Sequence, residues 1–194
     1  MRESYFKEIF TPTEIDGVKI QGNHFELCQF ENCDLSAFFF EKTMLVDCFF
    51  NQCDLNNIEV ESTLFRNVTF KTCKLNGIHF DLDSHFLLEM HFINCQMHNT
   101  FFANLDLDKI SFEDCDLNEA TFYDVNAKKS VFKNCDFDLC EFENVNFIDA
   151  DLSTSINYFI DPFKNKIKNA LFSLEGAVNL ATHLGIRVDF GNKS

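Results

Sequence analysis

The sequence predicts an all-β fold, a right-handed, four-sided parallel β-helix (a quadrilateral solenoid) finished by a short C-terminal helix. Three observations carry that prediction: an apolar residue at every fifth position, a longer period of twenty, and nine cysteines that all fall in one slot of the repeat. A period of five matches neither the 3.6 of an amphipathic helix nor the 2.0 of a half-buried strand. Each repeat must therefore be a short side that ends in a corner.

The first series runs from Ile20 through Phe25, Phe30, Leu35, Phe40, Leu45, Phe50, Leu55, Val60, Phe65, Phe70 and Leu75 to Phe80. The phase then slips. A second series runs Leu87, Phe92, Met97, Phe102, Leu107, Phe112, Leu117, Phe122, Ala127, Phe132, Phe137, Phe142, Phe147 and Leu152. The hexapeptides FENCDL (30–35), FNQCDL (50–55), FKTCKL (70–75), FINCQM (92–97), FEDCDL (112–117) and FKNCDF (132–137) recur at spacings of 20, 20, 22, 20 and 20, so four sides close one coil. The single 22 places a two-residue insertion in the segment 81–86.

With the apolar centre called i, every cysteine (28, 33, 48, 53, 73, 95, 115, 135 and 140) sits at i−2, a slot otherwise filled by small or apolar residues. They read as packing residues in interior ladders. CxxC-type spacing for zinc is absent, and a row of equivalent positions has no unique disulfide pairing.

Residues 1–16, with Pro12, lie outside strict register and are expected to cap the first coil. Residues 17–154 form the repeat. In 155–194, Pro162 interrupts the pattern while Ile167 and Phe172 return to phase, as in an irregular last coil. Ser173 suits an N-cap, Leu174, Ala177, Val178, Ala181 and Leu184 follow helical spacing, and Gly185 suits a C-terminal stop. After it, IRVDF (186–190) alternates like a short strand.

This pattern resembles that of the pentapeptide-repeat family, whose motif A(D/N)LXX keeps the apolar centre and the small i−2 residue inside. The resemblance covers 18 to about 154. Ala127, undersized for its ladder, and the 81–86 segment depart from it. The helix-and-extended tail is similar to that of family members that protect type II topoisomerases, where it joins two subunits. The tail is expected to cap the last coil, and the resemblance adds a homodimer, with Leu174, Ala177, Val178, Ala181, Leu184, Ile186, Val188 and Phe190 at the seam. It further implies a rod that mimics DNA in gyrase or topoisomerase IV and relieves quinolone or toxin poisoning.

Charge fits a binding role. The chain carries 31 acidic and 16 basic residues, a net −15. Residues 17–80 hold 8 acidic and 5 basic side chains, whereas 81–152 hold 16 and 4, a balance of −12. Outward positions in that half include Asp106, Asp108, Glu113, Asp114, Asp116, Glu119, Asp124, Asp136, Asp138, Glu141, Glu143, Asp149 and Asp151. Such a field attracts a basic protein partner. The bland alternative is that it serves solubility.

The same balance opposes direct nucleic-acid binding. No basic leader and no apolar run long enough for a membrane span is present, so the cytoplasm is the expected compartment. An enzyme is not expected, since the repeat explains the carboxylate spacing and a filled core offers no pocket. His79, His85, His91 and His98 cluster in sequence, but their registers differ and they are not expected to converge on a metal. No cofactor is implied. Two functions remain, a topoisomerase-binding DNA mimic and an adaptor for another basic protein.

Overall fold

The computed structural model describes residues 3–81 and 89–189. The chain is a parallel β-solenoid of about eight turns with one short C-terminal helix. Its four sides are numbered here by their apolar centres. Side 1 carries Phe25, Leu45, Phe65, Leu107, Ala127 and Phe147. Side 2 carries Phe30 to Phe132 and Leu152, side 3 Leu35 to Phe137, and side 4 Phe40 to Phe142. No helix among the described residues is long and apolar enough to cross a membrane.

Side 2 is one nine-stranded parallel sheet running from Ile9–Phe10 to Leu171–Phe172. Side 1 forms a four-stranded sheet only in the first half (Ser4–Phe6, His24–Glu26, Met44–Val46, Leu64–Arg66). Side 4 forms one only from His79–Asp81 onward (Phe101–Ala103, Thr121–Tyr123, Glu141–Glu143). Elsewhere neighbouring coils touch through single bridges, such as Asp34 to Asp54 on side 3 and Asp106 to Asn126 on side 1. The register is twenty residues except where Phe70 pairs with Phe92 and Phe80 with Phe102, a step of 22. That step is the two-residue insertion. Its own residues from 82 to 88, Leu87 and His85 among them, lie outside the described residues.

In-register parallel coils set like side chains directly above one another. Phe30 and Phe50 stack at 4.4 Å between centroids, Phe92 and Phe112 at 4.9 Å, and Phe102 and Phe122 at 4.7 Å. These distances are close to the 4.7–4.9 Å between paired strands. Each fully buried Phe contributes about 1.5–3 kcal/mol relative to an exposed one, and fourteen have under 2 % of their surface exposed.

The i−2 slot does more than pack. Its thiol or hydroxyl donates to the carbonyl of the preceding side's centre residue in the coil before: Cys33 to Phe10 O (3.3 Å), Cys53 to Phe30 O (3.3 Å), Thr43 to Ile20 O (3.0 Å) and Ser130 to Leu107 O (2.8 Å). A small donor there adds a bond to an interior carbonyl, which at Ile20 and Leu107 also accepts the Asn23 and Ile110 N–H (3.1 Å each). Eight cysteines are buried and Cys140 is half-buried, all as free thiols.

Nearly every i+2 residue is left-handed, from Lys7 (φ 57°) and Asn32 (56°) to Leu139 (57°) and Asn169 (60°). These are the corners. Asn and Asp tolerate this region, whereas Leu, Lys and Glu enter it at a cost.

Two expectations need correction. Residues 4–10 do not cap the first coil but belong to it, since Tyr5 pairs with Phe25 and Phe10 with Phe30. Pro12 falls in the turn that follows, where no strand is interrupted. Residues 186–189 form no strand, because a Schellman closure ends the helix: the Gly185 and Ile186 amides donate to Thr182 O (3.0 Å) and Ala181 O (2.9 Å). That closure uses Gly185 at φ 72°.

Candidate functional site

The thirteen carboxylates singled out by sequence all point outward and none is buried, yet the structure divides them by side and by task. Several help to build the coil. At i−1 the carboxylate accepts the backbone N–H two residues on, which fastens the corner: Asp106 from Asp108 N (3.1 Å), Asp136 from Asp138 N (3.1 Å) and Asp151 from Ser153 N (2.9 Å). At the i+2 corner an Asn one coil later donates across: Asn134 to Asp114 (3.0 Å), Asn144 to Asp124, and Asn169 to Asp149 (3.1 Å). Glu113 pairs with Lys133 and Asp116 with His98 (2.7 Å), while Asp108 lies 3.3 Å from Lys109.

Four carboxylates have no hydrogen-bond or ion-pair partner among the described residues: Glu119, Asp138, Glu141 and Glu143. Glu119, Asp138 and Glu141 flank the corner between sides 3 and 4, while Glu143 lies further along side 4, beside its other corner at Asn144. The first of these corners carries Leu139, which is 69 % exposed and left-handed. From Asn94 to Asn144 the outward positions of sides 3 and 4 include no Lys or Arg. Asp106, Asp108 and Asp149, by contrast, lie on side 1 or its corner, among lysines. The carboxylates of Asp136, Asp116 and Asp138 also face Cys140, whose thiol is pushed up to about 12 by burial first and by those charges next.

The described histidines of that cluster, His79, His91 and His98, do not converge. His91 Nδ1 lies 3.0 Å from Ser111 Oγ on side 2, while His98 pairs with Asp116 on side 3. His79 lies on side 4, beside the Phe101 ring. Among the described residues, no group of three or more His, Cys, Asp or Glu could hold a metal ion.

The tail forms a second surface. The helix Leu174–His183 is N-capped by Ser173, whose Oγ accepts the Gly176 N–H (3.2 Å). It docks on the last coil through Gly176, which is buried against Tyr158, through Asn179, whose amide donates to Tyr158 O (3.1 Å), and through His183 against the Phe159 ring. The apolar stripe therefore faces largely outward: Leu174 is 77 % exposed and Leu184 55 %, Ala177 is exposed, and Val178 and Ala181 are half-buried. Ile186 and Val188 are exposed beyond it, and Phe190 lies outside the described residues. Leu171 and Phe163 add to this apolar end.

A parallel four-sided coil of five-residue sides, left-handed at its corners and small at i−2, defines the class of repeat solenoid. The family models agree: Pentapeptide repeat region matches residues 23–87, and Pentapeptide repeats (8 copies) matches 95–134 and 122–156. The chain belongs to the pentapeptide-repeat family. Among solved structures it is similar to full-length QnrB1, described as a plasmid-mediated fluoroquinolone resistance protein, at 17% identity over 95% of this chain and 98% of that one, TM-score 0.48. A trypsin-treated QnrB1 gives 18% identity over 97% and 100%, TM-score 0.42. HetL, a pentapeptide-repeat protein from the cyanobacterium Nostoc involved in heterocyst differentiation regulation, gives 10% over 80% and 89%, TM-score 0.26. No curated protein matches the sequence.

Proposed function

We propose that the chain is a non-enzymatic binding rod that presents its acidic sides 3 and 4 to the basic DNA-binding surface of a type II topoisomerase, gyrase or topoisomerase IV. It stands in for DNA there and protects the enzyme from quinolones or toxins. The observation that carries this reading is the set of unpartnered carboxylates, Glu119, Asp138 and Glu141 around the exposed Leu139, with Glu143 further along side 4. Charge without an internal partner is available to an external one, and an apolar side chain within it supplies the desolvated anchor that protein interfaces use. The exposed stripe of the tail helix supports a homodimer, which would double the rod about its acidic end. The resemblance to topoisomerase-protecting family members supplies the candidate enzyme, and the cytoplasm is the compartment in which it is met.

A supercoiling assay with the host's own gyrase and topoisomerase IV, run with and without a quinolone, tests it. Protection of supercoiling and reduced drug-induced cleavage are expected. No effect on either enzyme would leave a second reading, an adaptor for another basic protein. That reading is favoured by the carboxylates at 106, 114, 116, 124, 136, 149 and 151, which already serve the coil.

A further inference from the structure

The net charge conceals how charge is arranged around the coil. Of the four basic residues between 81 and 152, three (Lys109, Lys128 and Lys129) project from side 1 or its corner with side 2. Lys166 and Lys168 extend the same side into the last coil, where Lys166 bridges to Asn146. Lys128, Lys129, Lys166 and Lys168 make no ion pair or side-chain hydrogen bond among the described residues. From 105 onward the carboxylates that share this side are engaged: Asp106 accepts from the Asn126 amide (2.8 Å), Asp149 from the Asn169 amide (3.1 Å), and Asp108 lies 3.3 Å from Lys109. From Asn94 to Asn144, sides 3 and 4 hold carboxylates and no lysine, and Lys164 follows at the corner between side 4 and side 1. The rod is polarised across its width.

We propose that the lysine side is a binding surface for the phosphate backbone of nucleic acid. Between 105 and 172 the exposed large apolar residues, Tyr123, Val131, Leu139, Ile156, Phe159, Phe163 and Leu171, project from the other three sides and their corners. Side 1 therefore offers charge without the apolar anchor that a protein partner would use. Lysine point charges on in-register coils, joined here by the single bridges Asp106–Asn126, Asn126–Asn146 and Asn146–Lys166, suit a sequence-independent polyphosphate. The spacing is set by the coil: rows repeat at about 4.8 Å, so Lys128 and Lys168, two coils apart, lie roughly 10 Å apart.

Total charge opposes nucleic acid only if it is spread evenly. Opposite sides are separated by a core about 10 Å thick, and outward side chains lengthen the gap, while screening acts over about 8 Å at physiological salt. The carboxylates of side 3 are therefore largely screened from a polyanion on side 1. This inference does not depend on the topoisomerase reading.

Fluorescence anisotropy of a labelled, mixed-sequence duplex DNA titrated with the full chain at several salt concentrations tests it. Binding with Kd of about 1–100 µM is expected, and log K should fall with log salt by about 0.9 per engaged lysine. Lys128→Gln with Lys166→Gln and Lys168→Gln should reduce that slope by about 3, roughly one per lysine. Glu141→Gln with Glu143→Gln should leave it unchanged. If the triple variant fails to fold, Lys168→Gln alone, at an exposed position, should reduce the slope by about 1. No binding at low salt, an unchanged slope in the lysine variants, or binding of polyglutamate but not of duplex would each overturn the proposal.

Discussion

Gly176 lies against Tyr158 so closely that a Cβ on it would overlap the Tyr158 ring and hydroxyl. Tyr158 is itself buried, and its hydroxyl accepts the Ser173 N–H (2.7 Å) and lies 2.8 Å from Ser173 Oγ, the group that caps the helix. One tyrosine thus seats the whole tail on the last coil.

Gly176→Val should therefore detach the helix while leaving the coil intact. Limited proteolysis is expected to cut rapidly within 174–189 in the variant, with the β spectrum and thiol protection unchanged. Tyr158→Phe leaves the Ser173 amide without its acceptor and should cost about 1–3 kcal/mol. A Gly176→Val tail as resistant as the wild type's would show that the contact does not hold the helix.

The corners predict stabilising changes. Leu139 and Leu27 adopt left-handed backbone at φ 57° and 56°, a region that costs a branched residue about 1–2 kcal/mol and that Asn enters more readily. Leu139→Asn should raise the urea midpoint by an amount worth about 1 kcal/mol, helped by an amide able to reach Glu119 as Asn134 reaches Asp114. The converse, Asn134→Val, loses both the backbone fit and the bond to Asp114 and should lower it.

Alkali should destabilise the coil through its thiols. Burial pushes Cys33 up to about 11 and Cys140 up to about 12. The hydrogen bond to Cys115 and then burial hold Cys95 well above the ordinary thiol range. Unfolded thiols ionise near 8.5, so above that pH the unfolded chain binds fewer protons than the native one and stability falls as pH rises. Each such thiol should cost about 1.4 kcal/mol per pH unit until it ionises in place. Chemical denaturation between about pH 8 and 11 checks this. In the native protein the buried thiols should react slowly with a thiol reagent, and rapid native labelling would contradict the interior ladder.

The tail should dimerise the rod. Light scattering is expected to give a dimer for the wild type and a monomer for Leu174→Glu with Leu184→Glu, since both leucines are exposed and neither seats the helix on its own coil. A wild-type monomer at micromolar concentration would remove the dimer.

The coil was legible in sequence because its signal is periodic. The apolar centres at Phe30, Phe50 and Phe70, the interior cysteines and the 22-residue step all follow from spacing alone. The corners were not read, because left-handed residues include Lys42, Leu139 and Glu119 as well as Asn and Asp; recurrence of Asn at i+2 was the available signal. The second duty of Cys53 or Ser130, donating to a carbonyl 23 residues earlier, follows only once the coils are stacked. Summing charge by segments hid the lysine side, since Lys109, Lys128 and Lys168 meet only when the chain is folded modulo twenty. The helix and its apolar stripe are legible in sequence, but the direction the stripe faces depends on Gly176, whose lack of a side chain is what allows docking.

The acidic corner is tested most directly by measuring binding to the host's gyrase for wild type and two reversal variants. One replaces Glu119, Asp138, Glu141 and Glu143 with Lys on sides 3 and 4; the other replaces Asp106, Asp108 and Asp149 with Lys on side 1. Wild type and the side 1 variant should bind at micromolar concentration, more weakly as salt is raised, while the first variant should fail to bind with its β spectrum preserved. Equal binding by both variants, or none by the wild type, would contradict the assignment of sides 3 and 4 as the partner surface.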